Sequence, residues 1–119
     1  MKLWFPVRRA DVDAGRERQR GERFVCNLRA LTKDERTQHA KVSKKLLDSV
    51  QETKELKNGY ALRMPAGSLL TAAQWIALER RCCPFFTFEL EQSRDSGPVW
   101  LSVTGTTGVK GFIKEEFGL

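Results

Sequence analysis

The chain has 119 residues, of which 40% are hydrophobic and 30% are charged, as is ordinary for one soluble globular domain with a single core. No apolar run approaches the roughly 20 residues that a membrane-spanning helix needs, so a membrane partner is not expected. The first apolar run, Leu3-Trp4-Phe5, is too short for a secretory signal, so we expect a cytoplasmic protein.

The formal charge of +6 is unevenly distributed along the chain. Residues 1–23 carry seven Lys or Arg against four Asp or Glu, whereas the remaining residues carry fourteen against eleven. This composition predicts a basic, poorly ordered leader over residues 1–23 and a single α+β domain over residues 24–119. The leader lacks interleaved aromatic residues and any nucleic-acid-binding motif, so nucleic acid is not expected as a partner.

The sequence predicts helices and strands in the order β-α-β-α-β-β-α. They are a strand over residues 24–28, a helix from Thr32 toward Lys57, a strand over residues 60–64, a helix from Thr71 to about Cys83, strands over residues 86–91 and 99–104, and a helix over residues 109–117. Both helix starts match the capping-box pattern, as in Thr32 with Glu35. Asn58-Gly59 and Pro84 are predicted to end the two helices.

This element order predicts a two-layer α+β sandwich, in which helices cover one face of a mostly antiparallel four-stranded sheet. The last two strands alternate between apolar and polar residues and are separated by the turn cluster at residues 93–98, so we expect a hairpin. The closing helix is predicted to point Val109, Phe112, Ile113 and Phe117 inward.

The end of the second helix carries the residues of greatest chemical interest. At about 100° per residue, Glu79, Cys82 and Cys83 lie on the same apolar face as Trp75, whereas the two arginines between them lie outside it. A carboxylate is costly to bury without a partner, so Glu79 marks a candidate site. The alternative is a structural charge satisfied by a backbone amide or by an arginine such as Arg63.

The only histidine of the chain, His39, lies on the buried face of the first helix, and Cys26 lies in the predicted first strand. The candidate metal ligands are therefore Cys26, His39, Glu79, Cys82 and Cys83. Thiolates favour zinc, copper(I) and mercury-type ions, while imidazole and carboxylate groups complete a coordination shell. Adjacent helical residues point about 100° apart, so both neighbouring thiols reach one ion only if Pro84 turns Cys83 out of helical geometry.

Other interpretations of the thiols stay open. Three cysteines without a secretory signal argue against a disulfide framework and predict reduced thiols. The helix C-terminus and Glu79 should both raise a nearby thiol pKa, which favours a cation site over a catalytic nucleophile. One alternative is a thiol-dependent redox enzyme with Glu79 as acid or base. Another is a structural domain with packed cysteines, acting as a homodimer or by binding another protein.

The motif Glu-x-x-Cys-Cys-Pro-Phe-x-x-Phe at Glu79–Phe88, followed by Thr-Gly-x-x-Gly-Val-Lys at residues 104–110, resembles a poorly characterised family of small bacterial proteins. Similar segments occur appended to mercury-responsive-type transcription regulators. The pattern includes a cysteine in the first strand, here Cys26, and an arginine near the start of a helix, here Arg36. The resemblance covers about residues 24–117. It implies a connection to thiophilic metals through Cys26, Glu79, Cys82 and Cys83, and no established activity.

Overall fold

The computed structural model describes residues 24–119, so the predicted leader over residues 1–23 lies outside the described residues. The helices and strands are α1 (Lys33–Asp48), β1 (Glu52–Leu56), β2 (Gly59–Met64), α2 (Leu69–Cys82), β3 (Thr87–Gln92), β4 (Val99–Thr104) and α3 (Val109–Phe117). Short 3-10 turns at Leu28–Ala30 and Ala66–Ser68 precede α1 and α2.

The four strands form one antiparallel sheet in the order β1-β2-β4-β3. On β4, the side chains of Val99, Leu101 and Val103 are fully buried, and the residues that alternate with them are only half-buried. The buried face forms one hydrophobic core with Leu46 of α1 and Ile113 of α3. The predicted α+β sandwich with a four-stranded antiparallel sheet is therefore confirmed.

The predicted strand over residues 24–28 is wrong. Residues 24–27 have no regular structure and run into the turn at Leu28–Ala30. The backbone N–H of Asn27 donates to the carbonyl of Cys82 over 2.7 Å, so this segment crosses the end of α2. Phe24 packs against Phe85 and Phe112, with ring centroids 5.4 and 6.3 Å apart. Apolar residues that pack on helices resemble a short strand in sequence, which explains the error.

The first helix is shorter than predicted, because α1 ends at Asp48 and residues 52–56 form the edge strand β1. Four of its five residues are exposed and several are good helix formers, so neither hydrophobic period nor propensity identified a strand. Asn58-Gly59 lies in the β1–β2 hairpin and does not end a helix, contrary to the prediction. A Cβ atom on Gly59 would lie 2.0 Å from the carbonyl oxygen of Val103, which lies on β4. Only glycine therefore allows β2 and β4 to approach this closely.

The capping box of α1 is confirmed: the Glu35 N–H donates to Thr32 Oγ1 over 3.1 Å, and the Thr32 N–H donates to Glu35 Oε1 over 2.8 Å. The second capping box is wrong, since α2 begins at Leu69 and Thr71 is buried within the helix. The predicted helix end is confirmed at Cys82, just before Cys83 and Pro84. The hairpin strands lie within one residue of the prediction, and the last helix matches it.

Candidate metal centre

The five residues that the sequence singled out lie together where the segment at residues 24–27 meets α1 and the end of α2. Two groups bring their ligand atoms close: in Cys26, Glu79 and Cys83, and again in His39, Glu79 and Cys82, these atoms lie within 4.8 Å of one another. Glu79 belongs to both groups, so it is the central member of the cluster.

Glu79 is 4% exposed, and its partner is the single histidine. His39 Nε2 lies 2.6 Å from Glu79 Oε1, across the interface between α1 and α2. The expectation of an arginine partner such as Arg63 is wrong, because Arg63 Nε lies 3.1 Å from Glu52 Oε1 on the sheet. A buried carboxylate with an imidazole partner avoids most of the cost of isolated burial, and removing either group would expose the other to that cost.

Cys82 is the free cysteine of the chain, and its side chain is fully buried. Its Sγ lies 3.8 Å from Glu79 Oε1, 3.6 Å from the Glu79 carbonyl oxygen and 4.0 Å from His39 Nε2. Burial, followed by the nearby Glu79 charge, raises the pKa of the Cys82 thiol from 9.0 to about 11. The predicted direction of the thiol pKa is confirmed, and a thiol that keeps its proton at neutral pH is a weak nucleophile.

Cys26 and Cys83 form a disulfide, with an S–S distance of 2.01 Å and Cα atoms 4.7 Å apart. The expectation of three reduced thiols is therefore wrong for this state of the protein. Cysteine count and spacing do not report distances in the fold, and these two residues are separated by 57 positions. The bond fastens the segment ahead of α1 to the C-terminal end of α2.

The side chains of the two adjacent cysteines point toward each other, as expected if Pro84 turns Cys83 out of helical geometry. Cys83 has φ −126° and ψ 69°, outside helical geometry, and its Sγ lies 3.7 Å from Cys82 Sγ. The sulfur atoms of all three cysteines are therefore neighbours. With the disulfide formed, the cluster offers one thiol, one imidazole and one carboxylate; with it reduced, the cluster offers three thiols beside the same two groups.

The sequence did not identify Glu35, Arg36 and Arg81 as residues that hold the segment ahead of α1 beside the cluster. Arg81 donates to Glu35 Oε2 over 2.6 Å and to the Ala30 carbonyl over 3.0 Å, although it was expected to face outward. Arg36 donates to the Leu31 carbonyl over 2.9 Å. The Arg81 hydrogen bond lowers the pKa of Glu35 to about 2. The available signal was Glu35 itself, a charged residue on the buried side of α1 one turn before His39.

A pocket of about 550 Å³ opens beside the cluster. Cys26, His39 and Glu79 line it, together with four aromatic side chains: Phe24, Trp75, Phe112 and Phe117. Trp75 Nε1 donates to Ser43 Oγ over 3.1 Å, which fixes the indole in the pocket wall. The sequence predicted three of these aromatic residues, Trp75, Phe112 and Phe117, as core residues. Helical periodicity identifies an inward-facing side chain, but it does not distinguish one that is packed from one that borders a pocket.

Among residues 24–119, no helix is long and apolar enough to cross a membrane. Comparison with known proteins returns no family model, no curated protein and no solved structure that matches this chain. The resemblance drawn from the Glu79–Phe88 motif stays a prediction.

Proposed function

We propose that the reduced protein binds a thiophilic metal ion or metalloid through the sulfur atoms of Cys26, Cys82 and Cys83, with Glu79 and His39 beside them. The observation that carries this proposal is the meeting of all five side chains at one place, where Glu79, Cys82 and Cys83 are buried and the other two are half-buried. The five residues come from three separate parts of the chain. Thiolates are the donors that such ions prefer, and imidazole and carboxylate groups can complete the shell.

The electrostatics of the cluster support a cation. Burial and the Glu79 carboxylate keep the Cys82 thiol protonated, since a thiolate there would be a second buried negative charge. A bound cation reverses this preference, because it stabilises thiolate and carboxylate together and displaces the thiol protons. The same arrangement that makes a poor nucleophile therefore makes a pH-dependent cation site.

Glu79 is the oxygen donor that the geometry favours, and His39 is placed to support it. Glu79 lies in both donor groups, whereas His39 lies only in the group with Cys82. His39 Nε2 already bonds to Glu79 Oε1, so this nitrogen could coordinate an ion only if that bond broke. We therefore assign Glu79 to the coordination shell and His39 to the layer that orients it, as partners of metal ligands do elsewhere.

The disulfide gives the proposed site a redox condition. Two of the three sulfur atoms are bonded to each other in the oxidised protein and cannot act as thiolate donors. Reduction by two electrons, for example from a dithiol, restores both thiols. Metal uptake is therefore expected in the reduced protein and not in the oxidised one.

The test is anaerobic titration of the reduced protein with zinc, cadmium and copper(I), followed by metal content and by a thiolate-to-metal absorption band. The oxidised wild-type protein is a matched control, since it differs only by two electrons and two protons. The double variant Cys82→Ser with Cys83→Ser should lose the absorption band. Unchanged uptake by that variant would show that the proposal is wrong.

The disulfide itself favours a second candidate, in which the cysteines serve structure alone. Cys82 and Cys83 are fully buried, and the Cys26–Cys83 bond links distant parts of the chain. In that case the reduced protein would bind no metal, and the variants would change stability only. The titration separates the two candidates directly.

A further inference from the structure

The pocket and the proposed donors share one wall. Cys26 and Glu79, which line the pocket, belong to the same donor group as Cys83. Cys83 and Cys82 are fully buried behind them. An ion held by Cys26 and Cys83 would therefore lie at the inner end of the pocket, with one side facing its interior.

The rest of the pocket is suited to an organic group. Its aromatic walls come from the segment ahead of α1, from α2 and from α3, and Leu28 and Leu47 add aliphatic surface. The volume of about 550 Å³ falls in the range of small-molecule sites and exceeds the roughly 150 Å³ cavity that holds benzene in an engineered protein. A bare metal ion would leave this apolar surface uncovered.

We propose that the preferred ligand is a thiophilic centre that carries one apolar organic substituent, such as a trivalent arylarsenical. The centre binds the Cys26 and Cys83 thiols, and its organic group occupies the aromatic pocket. This inference rests on the proposed function and names the ligand class of the same site. Soft donors and apolar walls at one pocket recognise the two ends of such a molecule.

The covalent step balances without an oxidant. An arylarsine oxide reacts with the two thiols, two arsenic–sulfur bonds form, and the arsenic–oxygen bond breaks. The oxygen leaves as water with the two thiol protons, and arsenic stays trivalent. The disulfide must first be reduced, which consumes two electrons from an external reductant such as a phosphine.

A larger side chain at position 40 would narrow the pocket without disturbing the hydrophobic core. Ala40 lines the pocket and is itself exposed on α1, so a large side chain there can fold across the mouth. Lys41 is the next residue, is also exposed, and does not line the pocket. Ala40→Trp and Lys41→Trp are therefore a matched pair that add the same side chain to neighbouring helix positions.

The experiment compares phenylarsine oxide with methylarsine oxide on the reduced full-length chain, each in competition with a free dithiol. Both probes use two thiols, so the competition removes the intrinsic arsenic–sulfur affinity and leaves the effect of the organic group. Burial of five additional carbon atoms should make the phenyl compound bind roughly tenfold or more tightly than the methyl compound, relative to the free dithiol. Ala40→Trp should remove most of this preference, while Lys41→Trp should keep it.

The possible results separate the two proposals. Equal relative affinity for both probes, or an Ala40→Trp variant that keeps the preference, would overturn the inference about the organic group. If cadmium still binds in that case, the proposed metal function stands. If neither arsenical nor any of the metal ions binds the reduced protein, both proposals fail together.

Discussion

Replacing Glu79 with glutamine should lower the pKa of the Cys82 thiol. Burial and the Glu79 charge together raise that pKa from 9.0 to about 11, and burial is the larger cause. Glu79→Gln removes the charge and keeps the shape, so the pKa should fall by less than half of the rise. The thiolate fraction near neutral pH should therefore increase severalfold and by less than about tenfold, since one pKa unit is a factor of ten.

The oxidised protein is the right sample, because its disulfide leaves Cys82 as the sole thiol among the three cysteines of the chain. The pKa is measured from the ultraviolet absorbance of the thiolate against pH, with Cys82→Ser as the blank for tyrosine ionisation. A wild-type midpoint at 9 or below would refute the reasoning. A Glu79→Gln midpoint equal to that of the wild type would show that the carboxylate does not act on this thiol.

The raised pKa also predicts how stability depends on pH. The unfolded thiol ionises near pH 9 and the folded thiol near 11, so between these values the unfolded state loses a proton that the folded state keeps. This contribution is constant below pH 9, and stability should fall as pH rises through the window, by roughly 3 kcal/mol at its upper end. The difference between urea unfolding of wild-type protein and of Cys82→Ser isolates this contribution. Parallel curves for the two proteins from pH 8 to 11 would contradict it.

Three further outcomes follow from other parts of the fold. Glu35→Gln keeps the capping acceptor but removes the charge that pairs with Arg81, so it should lower stability at neutral pH and shrink the further loss of stability between about pH 4.5 and 2. Glu35→Ala also loses the capping acceptor and should be less stable at neutral pH than Glu35→Gln; equal urea midpoints for the two variants would contradict this. Gly59→Ala should unfold at much lower urea than Gly67→Ala, because a Cβ meets a backbone oxygen at the first position and nothing within 4 Å at the second; similar midpoints would contradict this. Reducing the disulfide should lower the free energy of unfolding by about 4 kcal/mol, from the loop-closure entropy of its 57-residue separation. The measurement is the free energy of unfolding with and without a phosphine. Equal values would exclude a stabilising role for the disulfide.

Features that depend on helical periodicity were predictable from the sequence. The period of 3.6 residues fixed Glu79 and Cys82 on one face, and the ring geometry of Pro84 fixed where α2 ends. The alternation of β4 likewise identified its buried face. In these cases one local rule, applied to neighbours in the sequence, determines the result.

Features that depend on the packing of distant segments were not predictable in the same way. The contact between His39 and Glu79 depends on how α1 crosses α2, which the period of either helix does not specify. The pairing of Cys26 with Cys83 depends on a segment that has no regular structure. β1 was missed for another reason: an exposed edge strand has almost no buried face, so it leaves no apolar pattern in the sequence.

The backbone hydrogen bond from Asn27 to the Cys82 carbonyl has a consequence for how quickly the site can respond to a change in redox state. Together with the bonds from Arg36 and Arg81 to the carbonyls of Leu31 and Ala30, it holds the segment ahead of α1 in place by contacts that contain no sulfur. When the disulfide opens, Cys26 should stay near its former partner at a high effective concentration. Reoxidation by an external two-electron oxidant and capture of a ligand from solution would then compete for the same two thiols, and in either case the second sulfur bond closes within the molecule.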